Sequence, residues 1–117
     1  MIGVTRAQPS VGASRGGQVW IATAPVDMRK SFDGLAEVVR SFLRHDPLDG
    51  NVFVFRNRSS QRVKILWWDG AGLTIYYKRL ERGTFRFPAS DDRTVAVDGP
   101  QLLRLLDGLE IVARRAG

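Results

Sequence analysis

The stretch Val63-Lys64-Ile65-Leu66-Trp67-Trp68-Asp69-Gly70-Ala71-Gly72-Leu73 decides the fold class. Its first six residues are rich in the β-branched and aromatic side chains that favour strands. The Asp and Gly residues that follow are typical of a turn, and a second apolar run continues to Leu80. Such a short connection cannot be a crossover, so the two strands must be antiparallel. A third strand, Val52–Phe55, precedes them across the polar loop Asn57–Gln61, and together they predict a three-stranded meander.

Helical patterns flank this meander on both sides in the sequence. Asp27 is a plausible N-cap for a helix over 28–44, in which Phe32, Leu35, Val39 and Phe42 would share one face. Gly99-Pro100 begins a second helix with an apolar face made of Leu102, Leu103, Leu105, Leu106 and Leu109. Short strands are predicted over 18–24, 84–87 and 94–97. The predicted fold class is α+β: an antiparallel sheet packed by a helix from the N-terminal half and a short C-terminal helix.

The length of 117 residues fits a single domain, which we place at 18–117 behind a flexible leader, 1–17. The chain has no cysteine, which excludes disulfides and thiolate metal sites and is consistent with the cytoplasm. It has neither the apolar segment of a signal peptide nor the ~20 consecutive apolar residues of a membrane span. We therefore predict a cytoplasmic protein without a membrane partner.

The positive charge is concentrated in one part of the chain. The net charge is +6, and the segment from Arg56 to Arg86 holds eight basic and two acidic residues. The remaining basic and acidic residues balance at ten each. A local excess of this size favours binding to nucleic acid or to an acidic protein surface.

No catalytic site can be assembled from the sequence. His45 is the only histidine, so neither a Ser-His-Asp triad nor a histidine metal cluster can form within one chain. Asp69 and Glu81 stand in no recognisable nuclease arrangement. A third hypothesis is nonetheless a metal-dependent nuclease activity that would disappear when Asp69 and Glu81 are replaced together. Gly70-Ala71-Gly72 lacks the phosphate-loop ending and joins two strands. We predict no catalytic residues, no metal, no cofactor and no small-molecule substrate.

Alternation along the two central strands suggests how the charge could be used. Taken strand by strand, it groups Lys64, Trp68, Tyr76 and Lys78 on one face of the sheet. Cations and aromatic rings together on an exposed sheet suit contacts to phosphates and stacking on bases. The alternative is that the cations protect strand edges from aggregation while the rings pack beneath a helix.

Four motifs occur in an order that resembles a known family. They are 26–35 (Val26-Asp27-Met28-Arg29-Lys30-Ser31-Phe32-Asp33-Gly34-Leu35), 46–58, 64–88 and 101–108, and the most specific block is Tyr77-Lys78-Arg79-Leu80-Glu81-Arg82-Gly83. Over roughly 19–109 the chain resembles the TnpB-type accessory protein of insertion sequence 66 transposable elements. The resemblance implies a bacterial protein of DNA transposition and recombination that acts beside a separate, larger transposase, which carries the catalytic carboxylates. The family has no established catalytic residues to transfer.

We therefore predict a non-catalytic accessory protein whose partners are DNA and the transposase of the same element. The residues predicted to bind nucleic acid are Arg56, Arg58, Arg62, Lys64, Trp68, Tyr76, Lys78, Arg79, Arg82 and Arg86, with Trp68 and Tyr76 stacking on bases. Met28, Arg29 and Lys30 are predicted to bind the partner protein, because cations at a helix start oppose the helix dipole. The alternative is a module that recognises the transposase without contacting DNA.

Overall fold

A computed structural model describes residues 17–111 and shows one sheet covered by two helices. In chain order the elements are β1 (Val19–Ala22), α1 (Phe32–Val38), a π-helical turn (Val39–Leu43), β2 (Val52–Arg56), β3 (Arg62–Trp68), β4 (Leu73–Arg79), β5 (Thr94–Val97) and α2 (Gly99–Leu106). The prediction of an α+β fold with a helix in the N-terminal half and a short C-terminal helix is confirmed.

The sheet has the strand order β4-β3-β2-β1-β5. The pairs β2–β3 and β3–β4 are antiparallel, which confirms the predicted meander. β5 is antiparallel to β1, whereas β1 is parallel to β2. A parallel pair needs a long crossover, and here α1 and the π-helical turn supply it.

One helix covers each face of the sheet, so apolar residues are buried on both faces. We call the two sides the α1 face and the α2 face. The buried residues of the α1 face are Ala22, Leu35, Ala36, Val39, Leu43, Phe53, Phe55 and Leu66. Those of the α2 face include Ile21, Val54, Val63, Ile65, Trp67, Phe85, Leu102, Leu105 and Leu106. Apart from Lys64, the buried residues of the central strands β2 and β3 are therefore all apolar, as is expected of strands covered on both faces.

The predicted start of the first helix is wrong. The helix begins at Phe32 after Ser31, and Asp27 is not its N-cap. The Asp27 carboxylate instead accepts hydrogen bonds from the backbone N–H and the guanidinium of Arg29. This local bond holds residues 27–30 in a turn, closed by the Lys30 N–H on the Asp27 carbonyl. Asp competes with helix formation in this way because its short side chain reaches nearby backbone N–H groups.

The first helix also departs from the predicted apolar face, at its first residue and in its second half. Leu35 and Val39 are buried as predicted, but Phe32 and Phe42 are each more than 40% exposed. The π-helical turn rotates the residues that follow Val38, and Leu43 takes the buried position. A wider turn changes the angle between successive side chains, so a pattern of 3.6 residues per turn fails beyond it.

Two further expectations are corrected in the C-terminal part. Residues 84–87 form no strand. The Phe85 N–H donates to the Ser60 carbonyl, and the Phe85 ring is buried. Leu103 on α2 and Leu109, which lies beyond the end of α2, are exposed, and the buried side of α2 is formed by Leu102, Leu105 and Leu106. The predicted leader lies outside the described residues except for Gly17. A Cβ atom on Gly17 would lie 2.3 Å from the carbonyl oxygen of Gly50, so this close approach requires glycine.

Candidate nucleic-acid interface

The prediction that Lys64, Trp68, Tyr76 and Lys78 share one face is wrong. In the β3–β4 register Lys64 lies opposite Tyr77, and Ile65 lies opposite Tyr76. Directly opposed residues point to the same side of a sheet. Lys64 and Trp68 therefore lie on the α1 face, whereas Tyr76 and Lys78 lie on the α2 face.

The ammonium group of Lys64 is already bound within the protein. Lys64 is only 7% exposed, and its Nζ donates to the carbonyl oxygens of Met28 at 2.7 Å and of Lys30 at 2.8 Å. It also lies 4.7 Å from the centre of the Tyr77 ring. These contacts tie the turn before α1 to the sheet, which is a structural use of a buried cation.

The other three members of that set are also engaged or distant from the remaining cations. The Lys78 ammonium donates to the carbonyl of Leu106 at 2.7 Å, where a cation favours the C-terminal end of α2. Tyr76 packs against the core of the α2 face. Trp68 ends β3, six residues beyond Arg62 and thus about 20 Å away along the strand.

The topology brings the rest of the predicted site together at one end of the sheet. β1 and β2 both end there, β3 begins there and β4 ends there. Backbone hydrogen bonds join the segments, from Val26 to Arg56, from Leu80 to Gln61 and from Phe85 to Ser60. We call this region, made of residues 23–30, 56–62 and 79–90, the basic end.

The six arginines of segments 56–62 and 79–90 differ in how strongly they are held. Three have internal partners: Arg56 donates to the Thr23 carbonyl, Arg62 donates to the Tyr77 hydroxyl, and Arg79 pairs with Glu81 at 2.9 Å. The other three are exposed and have no partner among residues 17–111; they are Arg58, Arg82 and Arg86. These three guanidinium groups are available to an external anion.

Residues predicted to bind a partner protein lie at the same end. The carbonyls of Met28 and Lys30 accept the Lys64 bonds, and the Lys30 side chain is exposed. Arg29 pairs with Asp27 at 2.7 Å, and hydrogen bonds from this guanidinium lower the pKa of Asp27 to about 2. The two sets predicted from separate parts of the sequence are thus neighbours.

Two clefts flank the loop that joins β2 to β3. The first, the polar cleft, has a volume of about 650 Å³ and is lined by Thr23, Arg56, Ser59, Ser60, Thr84, Phe85, Arg86, Phe87, Pro88, Ala89 and Ser90. The second, the apolar-rimmed cleft, has a volume of about 630 Å³ and is lined by Pro25, Val26, Asp27, Met28, Asn57, Arg58, Ser59 and Arg62. Arginines line both clefts, and Ser59 contributes to both.

Acidic residues in the described part of the chain do not converge. No group of three or more His, Asp and Glu residues within 17–111 is arranged to hold a metal ion. Asp69 and Glu81 lie beyond opposite ends of β4. Hydrogen bonds from the backbone N–H groups of Ala71 and Gly72 lower the pKa of Asp69, which fits its predicted turn role. Neither helix in this part is long and apolar enough to cross a bilayer.

Several residues at or beside the basic end were not predicted from the sequence. Tyr77 is 47% exposed, and Phe87 lies beneath the Arg56 guanidinium, whose carbon is 5.8 Å from the ring centre. The hydroxyls of Ser59, Ser60 and Thr84 line the polar cleft. The strand register contains a signal for Tyr77, since pairing Trp68 with Leu73 across the turn places Tyr77 opposite Lys64. Nothing in the sequence indicates the fold of residues 84–90 over the β2–β3 loop.

Comparison with known proteins adds information that the geometry lacks. The family model described as "IS66 Orf2 like protein" matches residues 17–116. Two similar proteins of Sinorhizobium fredii strain NBRC 101917 / NGR234 are both named as uncharacterized. Protein y4hO is 45% identical over 93 residues, covering 80% of this chain and 81% of the relative. Protein y4jC is 38% identical over 100 residues, covering 86% of each. No solved structure matches the chain significantly.

Proposed function

This chain belongs to the IS66 Orf2-like family of transposition-associated accessory proteins, and from this we propose that it binds DNA through the basic end. The observation that carries the proposal is a set of three exposed arginines that have no partner in the described part of the chain, beside two arginine-lined clefts; they are Arg58, Arg82 and Arg86. We further propose that it acts in the cytoplasm and has no catalysis of its own. The DNA cleavage and joining steps are then left to the transposase.

The polar cleft has the chemistry that a phosphate backbone needs. Arg56 and Arg86 supply positive charge, and the surrounding serine and threonine hydroxyls can donate hydrogen bonds to phosphate oxygens. The half-buried Phe87 ring offers an apolar surface to a sugar or a base. Contacts of this type give affinity with little dependence on base sequence, because the phosphate backbone is the same at every step.

The number of available cations sets the expected dependence on salt. The three arginines that have no partner among residues 17–111 would neutralise three phosphates, and the six arginines of segments 56–62 and 79–90 would together neutralise six. Each neutralised phosphate contributes about −0.9 to the slope of log affinity against log salt on duplex DNA, so we expect a slope between roughly −3 and −5.

Fluorescence anisotropy with a labelled duplex from the end of the element tests this proposal. The double substitution Arg58→Ala with Arg86→Ala should reduce the slope by about 2 and weaken binding roughly fifty-fold near 0.1 M salt. Arg40→Ala is the matched control, since this exposed arginine pairs with Glu37 on the first helix. Undetectable binding at low salt, or equal losses in the double variant and the control, would contradict the proposal.

A second candidate function follows from the apolar-rimmed cleft. Pro25, Val26 and Met28 line it beside Arg58 and Arg62, a combination that suits an acidic protein segment with apolar side chains. We propose as the alternative that the transposase occupies this cleft without any DNA contact by the present chain. Co-purification that survives nuclease treatment and is lost in Met28→Glu would support it, provided that Arg86→Ala retains the complex. Complexes that disappear with nuclease treatment would exclude it.

A further inference from the structure

β4 is an edge strand whose outer side has no neighbouring strand within residues 17–111. Two backbone hydrogen bonds, from the Leu80 N–H to the Gln61 carbonyl and from the Asp69 N–H to the Gly72 carbonyl, determine which residues of β4 bond to β3. Because bonded pairs alternate along an antiparallel ladder, the even-numbered residues of β4 bond to β3. The N–H and C=O groups of its four odd-numbered residues, Leu73, Ile75, Tyr77 and Arg79, point away from the sheet.

This edge lacks the features that usually prevent strands from pairing with other molecules. β4 is seven residues long, keeps an unbroken register with β3 and has no proline or bulge. Lys78 does not guard the edge, because its ammonium is bound to Leu106 on the α2 face. The opposite edge, β5, has only four residues. Long, regular and apolar edges are templates for added strands.

We propose that β4 pairs with β4 of a second copy, forming a two-fold symmetric dimer with one continuous sheet. An antiparallel pair centred on Tyr76 places Leu73 opposite Arg79 and Ile75 opposite Tyr77 of the second copy. All four outward-facing residues of each strand then form hydrogen-bonded pairs, which gives eight inter-subunit hydrogen bonds. A two-fold axis produces this arrangement because a single strand can be its own antiparallel partner.

The side chains favour this occupant over an unrelated strand. Ile75 and Tyr77 both lie on the α1 face, so the dimer would make two identical Ile–Tyr cross-strand pairs. Tyr77 is 47% exposed, which leaves ring surface available for that contact. The exposed guanidinium of Arg79, which pairs with Glu81, would lie beside the Asp69 turn of the second copy, next to Thr74, whose hydroxyl donates to Asp69.

Analytical ultracentrifugation of the full chain without DNA tests the dimer. The expected result is a reversible monomer–dimer equilibrium. Ile75→Pro should weaken the dimer at least tenfold, because it removes an outward N–H that forms no hydrogen bond with residues 17–111. Ala96→Pro is the matched control, since in the β1–β5 ladder the Ala96 N–H also points outward, but from the opposite edge. It should leave dimerisation unchanged.

Hydrogen exchange on the unmodified chain tests the dimer without a substitution that could itself disturb the fold. Amides of Ile75 and Tyr77 should become protected as protein concentration rises, while those of Thr74, Tyr76 and Lys78 stay protected throughout. A monomer at all concentrations, or a dimer that survives Ile75→Pro, would overturn the proposal. Protection of Ile75 and Tyr77 that does not change with concentration would do so as well, since the same chain would then cover the edge.

Discussion

Replacing Lys64 by Met should destabilise the fold by about 3 kcal/mol without removing a DNA contact. The native ammonium donates to two backbone carbonyls at 2.7 and 2.8 Å and is 7% exposed. A hydrogen bond to a charged group contributes about 1.5–3 kcal/mol. We take the lower value for each bond, because Lys30 is exposed and Met28 half-buried, so that water can partly replace the lost donor.

The effect should be large in thermal unfolding. About 1 kcal/mol lowers the Tm of a domain near 100 residues by roughly 4–8 °C, so Lys64→Met should lower it by roughly 15 °C. Circular dichroism measures this shift directly. Hydrogen exchange should localise the change to the turn over 27–31, because the Lys64 bonds hold that turn against the sheet.

Arg58→Met supplies the matched control for the same experiment. Arg58 is exposed and has no partner within the described residues, so its replacement should change stability by no more than about 0.5 kcal/mol. DNA affinity measured on folded protein should show the reverse order, with a loss in Arg58→Met and none in Lys64→Met. A Tm for Lys64→Met within a few degrees of the native value would refute the structural role of this lysine.

Three smaller predictions concern local contacts. Asp98→Ala removes the carboxylate that accepts the Gln101 N–H at the start of α2, and it should cost about 1 kcal/mol in chemical denaturation. Arg29→Met should raise the pKa of Asp27 from about 2 toward 4, as read by carboxyl NMR titration. Because the pKa of Asp27 is lowered in the folded state, the ionised carboxylate stabilises the fold above pH 4, and this stabilisation is lost as the pH falls toward 2. The free energies of unfolding of the variant and the native protein should therefore become equal at the acid end. Gly17→Ala places a Cβ 2.3 Å from the Gly50 carbonyl and should lower the Tm measurably; an unchanged Tm would contradict the close approach.

The meander could be predicted because its signals are local. Each strand is a run of apolar and aromatic residues, and the four-residue turn after Trp68 permits only an antiparallel return. The faces could have been predicted as well. Pairing Trp68 with Leu73 makes every pair of opposed residues add to 141, which joins even numbers on β3 to odd numbers on β4. When side-chain alternation is followed along each strand separately, the pairing between β3 and β4 is ignored, and Lys64 is wrongly placed on the same face as Lys78.

The first helix was harder to predict because tertiary contacts override its local signals. Asp27 followed by an apolar repeat is typical of an N-cap, but the Lys64 side chain from a distant strand binds the carbonyls of residues 28 and 30. Those bonds stabilise a turn in place of the first helical turn. The π-helical turn at Val39 has no sequence signature either, and only packing shows that Leu43 replaces Phe42 in the core.

The basic end also shows that charge clustered in a sequence differs from charge available on a surface. Of the eight cations between Arg56 and Arg86, two bind carbonyls on opposite faces and three more have other internal partners. Only Arg58, Arg82 and Arg86 have no partner among the described residues. The parallel pairing of β1 with β2 compensates for this loss. It requires the chain to leave β1 at the same end as the β2–β3 loop, and so it places exposed Lys30 beside the arginines. If β1 paired antiparallel with β2, residues 23–30 would leave the sheet at the Asp69 end, and the basic end would lack both Lys30 and the cleft that Met28 lines.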